Sequence, residues 1–207
     1  MTTVHDGMAF FRAHRLKEAL AVFDALYEGS PPLRPTLWQR GLSLFYAGRF
    51  AEGSAQFRLD VAYNGADAEE ALWAFLCDAR GPGGFAGARA GMLAVGADPR
   101  PVLRCALAVF RGAAPLADLR AAGALGGAHD GFYAALYEAL YLEVCAAEEG
   151  GGEGPARAAL ARALASPYAA AAGGSAGRAR DYMVDVALVH AMVRGWGGAP
   201  QLKQVNF

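Results

Sequence analysis

The 207-residue sequence predicts an all-α protein, and three observations lead to that prediction. Matching residues recur at a fixed interval in the first part of the chain, as from Gly7 to Gly41. No segment alternates apolar and polar residues for more than a few positions, as a half-buried strand would. Ala, the strongest helix former, supplies much of the 55% hydrophobic content. A fixed period of about 34 residues is typical of a helical solenoid.

The recurrence becomes visible when residues 1–31 are placed above residues 35–65. The pairs at this one offset are Gly7–Gly41, His14–Gly48, Arg15–Arg49, Leu16–Phe50, Glu18–Glu52, Ala19–Gly53 and Phe23–Phe57. Small residues in both helices of a pair let the helices cross closely, and the terminal aromatic residue fills the gap to the next repeat. Pro31 then stops the second helix of the first pair. The pattern therefore predicts helical hairpins of equal length.

These residues resemble the tetratricopeptide repeat (TPR). More narrowly, the chain is similar to short, free-standing TPR-like proteins, through "LWQRGLSLFYAGRFAEGSAQFRLDVAYNGADAEEALW" and a later "SPY" followed by "DYM". The resemblance covers most of the chain and is strongest over residues 5–80. It implies a TPR-like helical-hairpin solenoid, a right-handed α-α superhelix, that binds protein and carries out no reaction.

Three TPR-like repeats are expected at about 1–33, 34–66 and 67–98. The third follows at an offset of 35, which pairs Trp38 with Trp73, for example. Asp67 and Glu70 have the spacing of a capping box at its start. Residues 99–207 are predicted to be degenerate TPR-like helices that continue the same domain.

Four helical segments are predicted in the degenerate half. They are "DPRPVLRCALAVFRG", with Pro101 in its first turn, "PLADLRAA", "DGFYAALYEALYLEVCAAEE" and "PARAALARALASPY", which starts at Pro155. Tyr133, Tyr137 and Tyr141 share one face of the third. "GALGGAHDG" is expected to be a flexible joint, and "EEGGGEG" and "AAAAGGSAG" to be linkers. A capping helix at about 178–195 and an extended tail at 199–207 complete the prediction.

Composition restricts the functional classes. A formal net charge of -1 argues against nucleic-acid binding through bulk charge. No apolar run reaches the roughly 18 residues of a membrane span, and the N-terminus lacks a signal-peptide pattern. Cys77, Cys105 and Cys145 lie far apart in apolar helical contexts, which predicts reduced, buried thiols in an intracellular compartment such as the cytoplasm, cytoskeleton or cilium.

Several motifs suggest chemistry, but their contexts do not support it. "GPGGFA" (81–86) fits a dinucleotide fingerprint, yet a predicted helix precedes it where a strand is required. "GGSAG" (173–177) lacks the strand and partners of a nucleophile elbow. His5, His14, His129 and His190 have no metal-ligand spacing, and His190 is expected to be a packed helix residue. Arg178 and Arg180 are expected to face solvent. The sequence predicts no catalytic residue, cofactor or metal.

The resemblance places candidate partner contacts on the concave face of the first helices. They are Met8, Phe11, Arg12, Trp38, Leu42, Phe45, Tyr46, Trp73, Cys77 and Arg80. Aromatic and Arg side chains are common anchors of protein interfaces. The alternative is that Trp38 and Trp73 serve packing between repeats. The positions that bind a C-terminal carboxylate in TPR co-chaperones are apolar here, which argues against that mode.

The predicted function is a non-catalytic protein-interaction module that binds a partner helix or an extended segment. The alternative is a small structural subunit built into a large assembly, such as a cytoskeletal or ciliary complex of axonemal microtubules. In either case the tail offers Leu202, Val205 and Phe207 as a second contact. The sequence does not specify the oligomeric state.

Overall fold

The computed structural model describes residues 2–172 and 181–196. Within these ranges the chain forms twelve α-helices and one 3-10 helix and contains no strand, which confirms the all-α prediction. The helices are α1 (Val4–Arg12), α2 (Leu16–Gly29), α3 (Trp38–Tyr46), α4 (Phe50–Tyr63), α5 (Ala68–Asp78), α6 (Gly84–Ala90), α7 (Pro101–Arg111), α8 (Leu116–Leu125), α9 (Gly127–Glu149), α10 (Gly154–Leu164), α11 (Pro167–Ala172) and α12 (Tyr182–Val193). The 3-10 helix, Pro31–Thr36, lies between α2 and α3.

The first two hairpins repeat one local structure. Helices α1 and α3 have 9 residues each, and α2 and α4 have 14 each. Both connections contain a residue in the left-handed region, His14 with φ 57° and Gly48 with φ 75°. The amides of Arg15 and Arg49 donate equivalent hydrogen bonds, each of 2.9 Å, to carbonyls five residues earlier. The sequence offset is therefore a repeat of hairpin geometry. A TPR-like superhelix remains a prediction.

Glycine allows the two helices of each hairpin to approach closely. A Cβ atom on Gly7 would lie 2.5 Å from the ring of Phe23, and one on Gly41 would lie 2.6 Å from the ring of Phe57. Both distances are well below van der Waals contact, so no larger residue fits without moving the phenylalanine. The Gly–Phe pair is the physical basis of the repeat.

The third hairpin departs from this pattern. Helix α5 has 11 residues and α6 only 7, and a five-residue turn at 79–83 separates them. The turn contains Gly81, Pro82 and Gly83, which disfavour helix. After α6, residues 91–99 form no helix. The junction with the second hairpin is nevertheless tight, because Phe57 is buried and stacks on Trp73 with ring centroids 6.2 Å apart.

The second half of the chain, from residue 99, contains less loop than expected among the described residues. Helix α7 begins at Pro101, as predicted. The flexible joint predicted at "GALGGAHDG" is wrong, because α8 continues to Leu125 and α9 begins at Gly127. Gly127 has φ 85°, a conformation that lets the chain reverse direction within one residue. Helix α9 is the longest, with 23 residues, and packs against both α8 and α10.

Helix α12 connects the two halves of the molecule. It spans Tyr182–Val193 rather than the expected 178–195, and residues 178–180 lie outside the described ranges. Asp181 caps it by accepting a hydrogen bond of 2.8 Å from the amide of Met183. Its apolar residues occupy all sides, as is typical of a buried helix. Accordingly, α12 contacts α10 on one side and α1 on another.

Candidate functional site

The predicted concave-face residues lie mostly in the core. The buried ones are Met8, Phe11, Leu42, Phe45, Tyr46, Trp73 and Cys77. Arg12, Trp38 and Arg80 are half-buried. Helix α12 covers part of this face, because it contacts α1 and brings His190 and Asp185 against Tyr46 and Arg12. Phe45 and Trp73 are buried mainly by each other and by Phe50 and Phe57 of the hairpins. Among the described residues, no open groove therefore runs along the whole concave face, and of the buried contacts only Leu42 and Trp73 line a cleft.

A polar network fastens α12 in this position. Glu143 of α9 forms ion pairs with Arg80, at 2.8 Å, and with Arg194. His190 lies 3.4 Å from Glu143 and shares a hydrogen bond of 3.2 Å with the hydroxyl of Tyr46. Arg12 lies 3.6 Å from a carboxylate oxygen of Asp185. Arg12 and Arg80, predicted to contact a partner, thus pair within the chain.

His190 is uncharged in this network. Burial, and after it the charges of the neighbouring Arg194 and Arg80, lower its pKa to about 3. The prediction that His190 is a packed helix residue is confirmed, because its side chain is fully buried. The histidine therefore contributes hydrogen bonding and aromatic packing, including an edge contact with Trp196 at 5.3 Å between ring centroids.

One end of the inner face remains open and forms a cleft of about 410 Å³. Five helices or their caps build it, and the N-terminal ends of α5 and α12 meet there. The lining residues are Trp38, Leu42, Phe57, Asp67, Glu69, Glu70, Trp73, Tyr133, Asp181, Tyr182 and Met183. Three of the predicted contacts, Trp38, Leu42 and Trp73, belong to this set. We call it the aromatic cleft.

Aromatic rings form the walls of the aromatic cleft. Trp38 and Tyr182 meet edge to face, with ring centroids 5.6 Å apart. Trp73 is buried at the back of the cleft and stacks on Phe57. Tyr133 is held in place by its hydroxyl, which donates to Asp181 at 3.0 Å. The rings are thus fixed before any ligand arrives.

Most of the carboxylates around the aromatic cleft have partners. Arg100 pairs with Asp67 at 2.8 Å and with Glu69 at 2.5 Å. Glu69 also accepts a hydrogen bond of 2.8 Å from the hydroxyl of Tyr137. Asp181 accepts from two tyrosine hydroxyls in addition to capping α12. These groups hold the helices of the cleft together.

Glu70 differs from its neighbours. Its Oε2 atom is buried and has no hydrogen-bond partner in the structure. Burial, and after it the nearby charge of Asp67 and a hydrogen bond with Asp67, raise the pKa of Glu70 to about 9. The sequence predicted Asp67 and Glu70 as a capping box. Asp67 does cap α5, through the amide of Glu69, while Glu70 lines the cleft.

A second depression of about 530 Å³ adjoins the aromatic cleft. Trp38, Asp67 and Glu70 line both, and the second is completed by Pro35, Thr36, Asp60, Tyr63 and Asn64. We call it the side groove. Its rim is accessible, since Tyr63 is 70% exposed.

Asp60 lies in the side groove and is only 3% exposed. Its Oδ1 atom accepts a hydrogen bond of 2.8 Å from the amide of Gln56, whereas its Oδ2 atom has no hydrogen-bond partner. Burial raises the pKa of Asp60 to about 7, against the opposing effect of the Gln56 hydrogen bond. The side groove therefore contains a second carboxyl group with an unused oxygen.

Sequence reasoning missed much of this site. It did not select Asp60, Glu69, Glu70, Tyr133, Asp181 or Tyr182 as contacts. Two signals were available: the Asp67–Glu70 spacing at the start of α5 and the "DYM" segment at the start of α12. Neither shows that the two helix ends come together, because that contact is made between distant parts of the chain.

Other predicted features give no second candidate. "GPGGFA" follows helix α5, so the strand that a dinucleotide site needs is not there. In residues 2–172 and 181–196 no group of three or more His, Cys, Asp or Glu side chains could hold a metal ion. "GGSAG", Arg178, Arg180, Leu202, Val205 and Phe207 lie outside the described residues.

Cys77 is buried as predicted, whereas Cys105 and Cys145 are only half-buried; none of the three is in a disulfide. None of the described helices is long and apolar enough to cross a membrane. Comparisons of the chain with protein-family models, with curated proteins and with solved structures gave no match. The TPR resemblance therefore depends on the residues themselves.

Proposed function

We propose that this chain is a non-catalytic protein-interaction module, and that its binding site is the aromatic cleft together with the side groove. The partner segment inserts one side chain into the aromatic cleft and lies along the side groove. This is a smaller site than the concave groove that the sequence suggested. It keeps Trp38, Leu42 and Trp73 as contacts.

The observation that carries the proposal is an open, aromatic-walled cleft in a face that is otherwise closed by α12. Its volume of about 410 Å³ is that of an ordinary ligand pocket. Trp and Tyr side chains, which dominate interface anchors, line it on several sides. The side groove provides a continuous path for the residues that flank the inserted side chain.

The experiment is a selection from a displayed library of random nonapeptides, carried out in parallel on the wild-type chain and on a Trp38→Ala variant. Trp38 lines both depressions and is half-buried, so its removal opens the shared wall without emptying the core. We expect peptides that bind the wild type and lose at least about tenfold in affinity on the variant, because a buried aromatic anchor contributes 2 kcal/mol or more.

A Tyr27→Ala variant is the matched control, since Tyr27 is half-buried on α2 and is not part of the cleft. Peptides should bind it as they bind the wild type. If no peptide is enriched on the wild type, or if the enriched peptides bind the Trp38→Ala variant equally well, the cleft is not a protein-binding site and the proposal fails.

A further inference from the structure

Two carboxyl groups of the proposed site have an oxygen that nothing in the described chain satisfies. They are Glu70, which lines both depressions and whose Oε2 is buried without a partner, and Asp60, which lines the side groove and whose Oδ2 is buried without a partner. Buried polar atoms without a hydrogen bond are rare in native proteins, because each costs about 1–3 kcal/mol. In the ionised carboxylates both atoms accept hydrogen bonds, and the described chain supplies no donor to either. A ligand with N–H or O–H groups supplies such a donor.

The surroundings favour a donor with positive charge. Glu70 shares the lining of the two depressions with these charged and titratable groups: Asp60, Tyr63, Asp67, Glu69, Tyr133, Asp181 and Tyr182. Arg100, Asp98 and Tyr137 lie behind them, since Arg100 pairs with Asp67, Glu69 and Asp98, and the Tyr137 hydroxyl donates to Glu69. Arg100 is the one cation in that set, and it is already paired with Asp67, Glu69 and Asp98. Its charge does not offset five carboxyl groups.

The aromatic rings add a second attraction for a cation. The faces of Trp and Tyr carry negative electrostatic potential and attract ammonium groups within about 6 Å, most strongly where water is excluded. Trp38, Trp73, Tyr133 and Tyr182 all line the aromatic cleft. The apolar side chains of Leu42, Phe57 and Met183 suit the hydrocarbon part of such a ligand.

We propose that the aromatic cleft binds the ammonium group of a Lys side chain from the partner protein, which donates to Glu70, while an N–H group of the same segment donates to Asp60 in the side groove. This inference rests on the proposed function and specifies the chemistry of the partner.

The choice of Lys follows from the shape of the acceptor. Glu70 offers a single unpartnered oxygen, which suits the compact ammonium group, whereas the flat guanidinium of Arg is adapted to two parallel hydrogen bonds. A quaternary ammonium has no N–H and would leave Oε2 unsatisfied. A partner protein is favoured over a free amine because the second unsatisfied oxygen, on Asp60, lies outside the cleft that takes the ammonium.

Binding of this ligand is coupled to proton release. Burial and Asp67 hold the pKa of Glu70 at about 9 in the empty cleft, so the carboxyl is protonated near pH 7. An ammonium group stabilises the ionised form, so Glu70 loses its proton when the ligand binds. The affinity then increases as the pH rises from 6 towards 9, a range in which the Lys ligand stays charged.

The experiment uses a displayed library of nonapeptides in which every position is random, selected separately on the wild type, on Glu70→Gln and on Glu28→Gln. Glu28 is an exposed glutamate on α2, so Glu28→Gln makes the same chemical change away from the site. Among the peptides selected on the wild type and on Glu28→Gln, we expect Lys to be enriched at one position of the aligned sequences. This enrichment should disappear among the peptides selected on Glu70→Gln.

Calorimetry with a synthetic selected peptide completes the test. Replacing its Lys by norleucine, which keeps the hydrocarbon and removes the ammonium, should weaken binding about tenfold or more, as should Glu70→Gln. Titration at pH 7.5 in phosphate and in Tris should show release of about one proton with the wild type and none with Glu70→Gln. Butylamine alone should bind much more weakly than the peptide.

The outcomes separate the two proposals. The inference is wrong if peptides are selected on the wild type without enrichment of Lys, or if the norleucine peptide binds as tightly as the Lys peptide. In either case the proposed protein-binding function is not affected. Butylamine binding as tightly as the peptide shows a site for free amines and overturns it too. A pool with no enrichment on the wild type refutes the proposed function and, with it, the Lys site.

Discussion

Two groups of buried carboxyl groups in this molecule differ in whether a cation lies beside them. In the network beneath α12, Glu143 forms ion pairs with Arg80 and Arg194, although its Oε2 atom has no hydrogen-bond partner. At the aromatic cleft and the side groove, Glu70 and Asp60 each have an oxygen without a hydrogen-bond partner and form no ion pair with a cation among the described residues. A buried ion pair is costly to break, whereas an unpaired buried carboxyl is costly to ionise. The first arrangement fixes a structure, and the second is suited to a ligand that supplies the missing donor.

The largest expected effect comes from removing the centre of the paired group. Glu143→Ala should destabilise the chain by about 3–5 kcal/mol, because it leaves Arg80 and Arg194 close together without a counter-charge. Urea unfolding followed by circular dichroism measures the change. A loss below about 1 kcal/mol would show that these charges do not hold α12 in place, and the contrast with the cleft would disappear.

Removing the ionisable group of Glu70 at the aromatic cleft should stabilise the folded chain, whereas Glu143→Ala should destabilise it. The pKa of Glu70 is raised from 4.5 to about 9, so between these values the folded chain holds a proton that the unfolded chain has lost. The stability of the wild type therefore falls as the pH rises through this range. The Gln side chain of the Glu70→Gln variant does not ionise, so the stability of this variant does not decrease for this reason as the pH rises.

We expect Glu70→Gln to match the wild type near pH 5 and to be more stable by about 1–3 kcal/mol at pH 8.5. Urea midpoints of both proteins at pH 5, 7 and 8.5 measure the difference, with Glu28→Gln as the control that should show none. A Glu70→Gln variant less stable than the wild type at pH 8.5 would mean that Glu70 makes a favourable ionic contact in the fold, as Glu143 does.

The hairpins could be predicted from the sequence because their determinants are local. Gly41 and Phe57 are 16 residues apart and face one another across a single turn, so their spacing recurs wherever the hairpin recurs. The same logic predicted the helix start at Pro101. It failed at "GALGGAHDG", where four glycines suggested a flexible joint but a single left-handed glycine, Gly127, is enough to make the turn.

The site could be predicted only in part, because it depends on contacts between distant segments. Tyr46 and His190 are separated by 144 positions, and no periodic pattern records their contact. Because the sequence gives no sign of this contact, the concave face was expected to be open, and Arg12 and Arg80 were assigned to a partner. Asp60 gave no signal at all, since an acidic residue in a helix is usually exposed to solvent. Trp38 and Trp73 were selected because large aromatic residues at repeat positions must either pack or bind, and here they line the cleft.

The smallest expected effect distinguishes the two carboxyls of the site from each other. The pKa of Asp60 is raised less than that of Glu70, from 3.8 to about 7, because the Gln56 hydrogen bond stabilises its ionised form. The penalty for ionising Asp60 therefore develops between about pH 4 and pH 7 and is constant above that range.

Asp60→Asn keeps an acceptor for Gln56 and removes the charge, so it should stabilise the chain by about 1 kcal/mol at pH 7.5 and by little at pH 4.5. Between pH 7.5 and 8.5 its advantage over the wild type should stay level, whereas that of Glu70→Gln should still increase. Urea midpoints at these pH values, measured for both variants and the double variant, make the comparison. An advantage of Asp60→Asn that grows in step with that of Glu70→Gln would show that the two groups titrate as one unit, and the cleft and the side groove would then have to be treated as a single electrostatic site.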